Sequence, residues 1–283
     1  MTKTCAPPDP SPRIPAFKMP SGSVDTHYHI FSKPSEFAAN RSYTPPNASA
    51  ADYAHLQSVL GIEKSVVIQP SIYGADNRTT LGHAAASPNR RAIGVVQQMP
   101  SAADLKSMAA QNCVGLRINA VFKGAPEFDL VPKLAAAIAD LGWHLQFLID
   151  VAQADDVLDH LVDLPVPIVI DHMGHVPARN GFETSGFQRM LALLGQGRLW
   201  VKLSAPYRLE DATPDYPATT AIARALVAAN PDNLLWGTDW PHPAFAGTMP
   251  NDGDLVDLIP HWMPDKQTQQ KILVDNPTRL YRF

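Results

Sequence analysis

Three short stretches of the chain combine imidazole and carboxylate groups with apolar neighbours. Residues 25–29 read Asp-Thr-His-Tyr-His, so Asp25, His27 and His29 project to one side of an extended segment. Two imidazoles at that spacing suit a metal ion, or a pair of hydrogen-bond donors to one oxygen. Residues 170–175 read Ile-Asp-His-Met-Gly-His. His172 is the candidate there; regular alternation turns Asp171 the other way, and His175 falls in the loop as a structural residue. Residues 236–243 read Trp-Gly-Thr-Asp-Trp-Pro-His-Pro. Asp239 follows an apolar run and must meet something polar. It can act as a general base towards water or as a metal ligand. His242 reads equally as its support or as a structural residue.

Cationic groups follow other apolar runs. Arg117 comes after Val114-Gly115-Leu116 and would be costly if buried unpaired. It suits bidentate binding of a substrate carboxylate, with a structural carboxylate as the other possible partner. Arg208 is a second anion anchor or a solvated loop residue. Lys123, beside Gly124, is a weaker anchor of the kind usually solvated. Ser71 could donate to a substrate oxygen, or simply form a turn beside Pro70.

These residues need a frame that brings them to one place. Short runs rich in Val, Ile and Leu occur at 24–27, 65–69, 92–96, 114–118, 144–149, 167–171, 199–204 and 234–239. Consecutive rather than alternating apolar positions mark strands buried on both faces, which are usually parallel. Between them lie helical patterns: Tyr53, Leu56, Val59 and Leu60, then groups centred on Leu81, Leu105, Leu134, Leu158, Met190 and Leu226. Ser49 three residues before Asp52 predicts a capping box. Residues 266–281 make a C-terminal cover. Eight strands alternating with helices predict an α/β fold, a (β/α)8 TIM barrel, in which active sites lie at the carboxyl ends of the strands. A doubly wound open sheet is the runner-up, and the first strand lacks its glycine-rich turn. The domain spans 23–283, preceded by an extended Pro-rich arm at 1–22.

Composition narrows the function. The 283 residues are 45% hydrophobic and 18% charged, enough for a large core. A formal charge of −4 argues against nucleic acid or an anionic membrane as the partner. The two cysteines, Cys5 and Cys113, cannot form a disulfide framework. No apolar run approaches the roughly 20 residues of a membrane span, and the N-terminus carries no signal-peptide core. The expectation is a cytoplasmic enzyme. The oligomeric state is not readable.

The His-x-His of strand 1, the histidine of Ile-Asp-His-Met-Gly and the aspartate of Trp-Gly-Thr-Asp-Trp-Pro-His together resemble the amidohydrolase superfamily. The closer likeness is to its amidohydrolase-2 group, and there to the 2-pyrone-4,6-dicarboxylate lactonases. It runs from about Val24 to the C-terminus and takes in Gln69-Pro70-Ser71, Gly115-Leu116-Arg117-Ile118-Asn119 and Gly142-Trp143-His144. The resemblance implies hydrolytic opening of a small anionic lactone or pyrone. Asp239 would activate water, and His27, His29 and His172 would polarise the carbonyl. Arg117, Arg208, Lys123, Ser71 and Tyr43 would bind substrate. Lys123 stands where the lactonases carry a further arginine, and Phe147-Leu148-Ile149 offers no tyrosine where they carry one. A lactone with one carboxylate, or a sulfonated or sugar-derived one, therefore stays open beside the dicarboxylate. The resemblance implies chemistry with no metal or other cofactor. The alternatives are a lactone isomerase of the same group, or a decarboxylase or amidohydrolase holding one Zn²⁺ at His27, His29, His172 and Asp239. A barrel that only binds an anion is the third reading.

Overall fold

The computed structural model describes residues 3–32, 34–119, 128–153, 155–210 and 215–283. Eight strands form one sheet in chain order, every pair parallel: β1 (Val24–Tyr28), β2 (Lys64–Ile68), β3 (Arg90–Gly94), β4 (Cys113–Asn119), β5 (His144–Leu148), β6 (Ile168–Ile170), β7 (Trp200–Leu203) and β8 (Leu234–Trp236). The first and last strands then meet. The Asp239 amide donates to the His27 carbonyl and the His29 amide to the Trp240 carbonyl, each at 2.8 Å. Thr26 Oγ1 donates to the Trp236 carbonyl at 2.7 Å. The sheet is thus a (β/α)8 barrel, and each of the eight apolar runs carries a strand.

Helices follow the strands. They are α1 (Ala50–Leu60), α2 (Arg78–Ala85), α3 (Ala102–Ala109), α4 (Val131–Ala139), α5 (Asp155–Val162), α6 (Ser185–Gly195) and α7 (Pro217–Ala229). The capping box is present: Ser49 accepts from the Asp52 amide while the Asp52 side chain accepts from the Ser49 amide. Gly61, at φ 75°, stops the helix in the left-handed conformation glycine tolerates. The C-terminal cover is one helical run broken by a π turn at Lys271–Asp275. Two short helices, Asp252–Val256 and Ile259–Trp262, precede it and were not visible as apolar periodicity.

Neighbouring positions on a strand fall into different apolar clusters, as the strand period requires. Val67 packs with the helices, whereas Val66 and Ile68 join Val24, Ile93, Val169 and Leu235 in a second cluster with Tyr281. The barrel interior is therefore apolar at one end. Residues 3–22 have no helix and run along the outside of the barrel. Lys3–Thr4 pairs with Tyr43–Thr44, and Arg13 ion-pairs with Asp254 and Asp257. Among the described residues no helix is long and apolar enough to cross a membrane.

Candidate active site

The polar half of the barrel lies where the strands end. Left-handed, non-glycine residues gather there: His172 (φ 50°), Met173 (52°) and His175 (55°) after β6, Ala205 (53°) after β7, and Asp239 (59°) and His242 (60°) after β8. Such conformations each cost about 1 kcal/mol or more and persist where the surroundings impose them. At Asp239 the turn ends the strand three residues earlier than the apolar run suggests.

Asp239 is the centre of the constellation. Its Oδ2 accepts from Tyr207 Oη at 2.6 Å and from Arg208 Nε at 2.8 Å. Its Oδ1 is buried without a hydrogen-bond partner among the described residues. Three imidazole nitrogens surround that oxygen: Nε2 of His27 at 3.6 Å, of His29 at 3.7 Å and of His172 at 3.8 Å. These gaps are too long for hydrogen bonds and leave room for a reacting atom. Burial opposes ionisation of Asp239, but Arg208 and the facing histidines outweigh it and hold the carboxyl well below its ordinary range. Burial also keeps the imidazoles neutral. It pulls His27 down to about 3, aided by Lys202 and opposed by Asp171, and it lowers His29 and His172 as well.

The ring environments differ. His29 Nδ1 lies 2.8 Å from the Ile68 carbonyl, which can only accept, so Nδ1 carries the hydrogen and Nε2 presents a lone pair. His172 Nδ1 meets the Ser204 hydroxyl at 2.8 Å, which can donate or accept. Gly237 lets His27 approach: a Cβ there would lie 2.8 Å from both the Cβ and the backbone nitrogen of His27.

Below His27 lies a second charged group. Arg117 Nε and Nη2 donate to Asp171 Oδ2 at 3.2 and 3.0 Å, and Gln146 Nε2 donates to the same oxygen at 3.0 Å. Lys202, wholly buried on β7, donates to the Thr26 carbonyl and to Gln146 Oε1 at 2.8 Å each. Burial brings its ammonium down to about 8 against the attraction of Asp171, so it is charged at neutral pH. Burial disfavours the Asp171 anion too, yet His27, Lys202 and Arg117 keep it well below the ordinary carboxylate range.

The sequence-predicted residues come together with two corrections. His29, Tyr43, Ser71, Arg117, His172, Arg208 and Asp239 line one cavity, and buried His27 adjoins it with Nε2 3.6 Å from Asp239 Oδ1. Lys123 lies outside the described residues. Asp171 faces inward instead of away, because it is still extended (φ −72°, ψ 150°) and keeps the phase of Val169 in the inner cluster; His172 is the residue that leaves the alternation, by turning left-handed. Arg117 is paired with that carboxylate, the alternative partner named above, while still lining the cavity. Asp25 does not reach the cavity. It accepts from Thr238 Oγ1 and Tyr53 Oη at 2.7 and 2.9 Å and from the Thr238 and His27 amides at 3.0 Å, fastening β1 to β8. Burial raises it to about 6.

Sequence reasoning missed Lys202, Gln146 and Tyr207. A lysine and a glutamine inside strands otherwise apolar were the available signal, since such groups are buried only with partners. His242 reaches Asp239 through Tyr207: its Nδ1 is 2.9 Å from Tyr207 Oη, and its Nε2 is 3.3 Å from Asp252 Oδ2. A wider surface depression lined by Phe17, Lys18 and His261 holds none of these groups.

As metal ligands, two overlapping sets are close enough, His27 with His29 and Asp239, and His27 with Asp171 and His172. Both need His27. His29 offers a bare nitrogen and fits. His27 fits poorly: its Nδ1 has an aligned contact with the Lys202 ammonium at 3.4 Å, whereas Asp171 Oδ1, 3.3 Å away, takes no aligned hydrogen bond that would free Nε2.

The amidohydrolase family model matches residues 24–283. The chain is 37% identical over 286 aligned residues to a 2-pyrone-4,6-dicarboxylate hydrolase of Comamonas testosteroni, covering 96% of this chain and 93% of the relative. It is 34% identical to a 4-sulfomuconolactone hydrolase of Hydrogenophaga intermedia, covering 94% and 90%. A probable 2-pyrone-4,6-dicarboxylic acid hydrolase from Acinetobacter baumannii, solved with citric acid bound, superposes with a TM-score of 0.83 at 27% identity over 93% of this chain and 100% of that one. A family match across nearly the whole barrel, joined to relatives above 30% identity, means that the chain belongs to the amidohydrolase family.

Proposed function

We propose that this protein hydrolyses a small lactone or pyrone bearing an anionic group, without a metal. The observation that carries the reading is Asp239 Oδ1, buried, without a partner among the described residues, and facing the Nε2 atoms of three imidazoles beside a mouth lined by guanidinium groups. The lactone relatives point to the substrate class. The lactone carbonyl lies between the histidines, with its anionic substituent towards Arg117 and Arg208. Water donates one proton to Asp239 Oδ1 as its oxygen bonds to the carbonyl carbon. His29 Nε2, a lone pair, accepts a hydrogen bond from the other O–H of the water, which stays on the attacking oxygen. The oxyanion is stabilised by imidazole N–H donors. Collapse breaks the ring C–O bond, and the leaving oxygen takes the proton from Asp239. Arg208 and Tyr207 occupy Oδ2, so the basic lone pairs of Oδ1 are those aimed at the cavity.

Asp239 could instead shuttle a carbon-bound proton, which would make the enzyme a lactone isomerase. One experiment separates the two. A panel of carboxylated and sulfonated lactones and pyrones is followed by ring-opening absorbance in ¹⁸O-labelled water, with and without chelator. Hydrolysis places one ¹⁸O in the product carboxylate. An unlabelled product would establish isomerisation, and no turnover of any member would remove the lactone reading.

A further inference from the structure

The proposed lactone chemistry leaves Lys202 without a task. An ammonium has three N–H donors and no acceptor. Two are committed at 2.8 Å, to the Thr26 carbonyl and to Gln146 Oε1. The third has His27 Nδ1 at 3.4 Å and Asp171 Oδ1 at 3.6 Å. Asp171 Oδ1 is also 3.3 Å from His27 Nδ1, but it receives no aligned hydrogen bond among the described residues.

These contacts decide which nitrogen of His27 carries its hydrogen. Of the two neighbours of Nδ1, the ammonium at 3.4 Å meets it in hydrogen-bond geometry and the carboxylate oxygen at 3.3 Å does not, so Nδ1 is the acceptor and a neutral ring bears its hydrogen on Nε2. That Nε2 is buried, has no partner among the described residues, and points towards the cavity near Asp239 Oδ1.

We propose that Lys202 is a positioning residue: it holds His27 as the Nε2–H tautomer, which makes His27 a hydrogen-bond donor to the substrate carbonyl and denies a metal its Nε2 lone pair. Only the identity of the acceptor rests on the lactone reading; the tautomer does not. His29 is the counterpart, with its hydrogen fixed on Nδ1 by the Ile68 carbonyl. The two rings of the His-x-His pair thus present one donor to the carbonyl and one acceptor to the water. Without the ammonium, Asp171 Oδ1, 3.3 Å away, is left as the partner for His27 Nδ1. The hydrogen then moves to Nδ1, and His27 joins His29 and Asp239 as a bare ligand.

The test uses the full-length protein at neutral pH, with ¹⁵N-labelled histidine, as wild type, Lys202→Met and Lys202→Arg. In the wild type, His27 Nε2 should give the signal of a protonated nitrogen and Nδ1 that of a bare one. Lys202→Met should reverse the two and bind Zn²⁺ at least about tenfold more tightly in competition with a chelator dye. It should also lose about 10²–10³-fold in kcat with little change in KM, as expected for a missing oxyanion donor. Lys202→Arg, still a pure donor, should keep the wild-type tautomer and most of kcat. A wild-type His27 with its hydrogen on Nδ1 overturns the proposal, and does so even if Lys202→Met fails to fold. A Lys202→Met protein with an unchanged tautomer also overturns it. Absence of lactone turnover in the panel would remove the lactone reading and leave the tautomer result standing.

Discussion

Asp239 and Asp171 are built alike and placed differently. Each is buried, each is held well below its ordinary range, and each gives Oδ2 to an arginine. Each leaves Oδ1 without an aligned donor among the described residues. The difference lies in what faces that last oxygen. Asp239 Oδ1 faces the cavity and three imidazole Nε2 atoms. Asp171 Oδ1 faces the barrel interior, with His27 Nδ1 and Lys202 Nζ beside it. On the proposed chemistry, the same arginine–carboxylate pair serves as a base at the mouth and as a scaffold one layer below. Ionisation alone does not make a buried carboxylate reactive; the direction of its free lone pair does.

Removing each carboxyl charge in turn should separate the two roles. Asp239→Asn should lower kcat by about 10²–10⁴-fold with KM nearly unchanged, because an amide cannot take the water's proton. Steady-state kinetics on the best lactone of the panel checks this, and near-normal kcat would exclude Asp239 as the base. Asp171→Asn should act on the fold instead. It strands Arg117 and Lys202 without their shared anion, a loss of about 3–5 kcal/mol in urea unfolding. Unchanged stability would mean that Asp171 is not the scaffold described here.

Tyr207→Phe sharpens the comparison at the mouth. The hydroxyl's bond to Asp239 Oδ2 has no equivalent at Asp171, where Gln146 donates instead. Its loss should cost about tenfold in kcat, the value of one hydrogen bond to a charged group. A thermal melt should show the variant folded. If kcat did not move, Tyr207 would not be holding the base.

The smallest effect is on stability against pH. His27 and His144 are held near 3 and His175 near 4, all by burial, against an ordinary value of 6.5 in the unfolded chain. The unfolded state therefore binds more protons below about 6.5, and stability must fall as pH drops from there towards 3. The two aspartates, also depressed, add their share only below their ordinary value of 3.8. Melting temperature should be level only near about pH 7–8, because Lys202, lowered to about 8, makes it rise above that. It should decline from about 6.5 downward, where the three histidines outweigh Asp25, which at about 6 opposes the fall between 6 and 3.8. A decline that began only below pH 4 would mean that the histidines are not buried neutral.

The barrel was legible in the sequence because its signals are local. Apolar runs, helical spacing and the Ser49–Asp52 box each lie within a few residues. His27, His29, His172 and Asp239 were legible for a similar reason, as polar groups ending apolar runs. The lower layer was not. Lys202 and Gln146 lie on two strands and Asp171 just past a third, and they find one another only through closure of the barrel. Asp171 keeps the inward phase of Val169, and His172, a non-glycine residue whose sequence gives no warning of it, departs from that phase through a left-handed backbone.

The central claim is that an ionised carboxylate and neutral imidazoles activate water without a metal. Its most direct test is kcat/KM against pH for enzyme dialysed exhaustively against chelator, with elemental analysis of the same sample. The account expects full activity, metal well below stoichiometric, and a plateau through neutral pH, since Asp239 stays ionised and His27 neutral well into acid. Stoichiometric zinc in the dialysed protein, or activity that returns only with an added divalent ion, would contradict it.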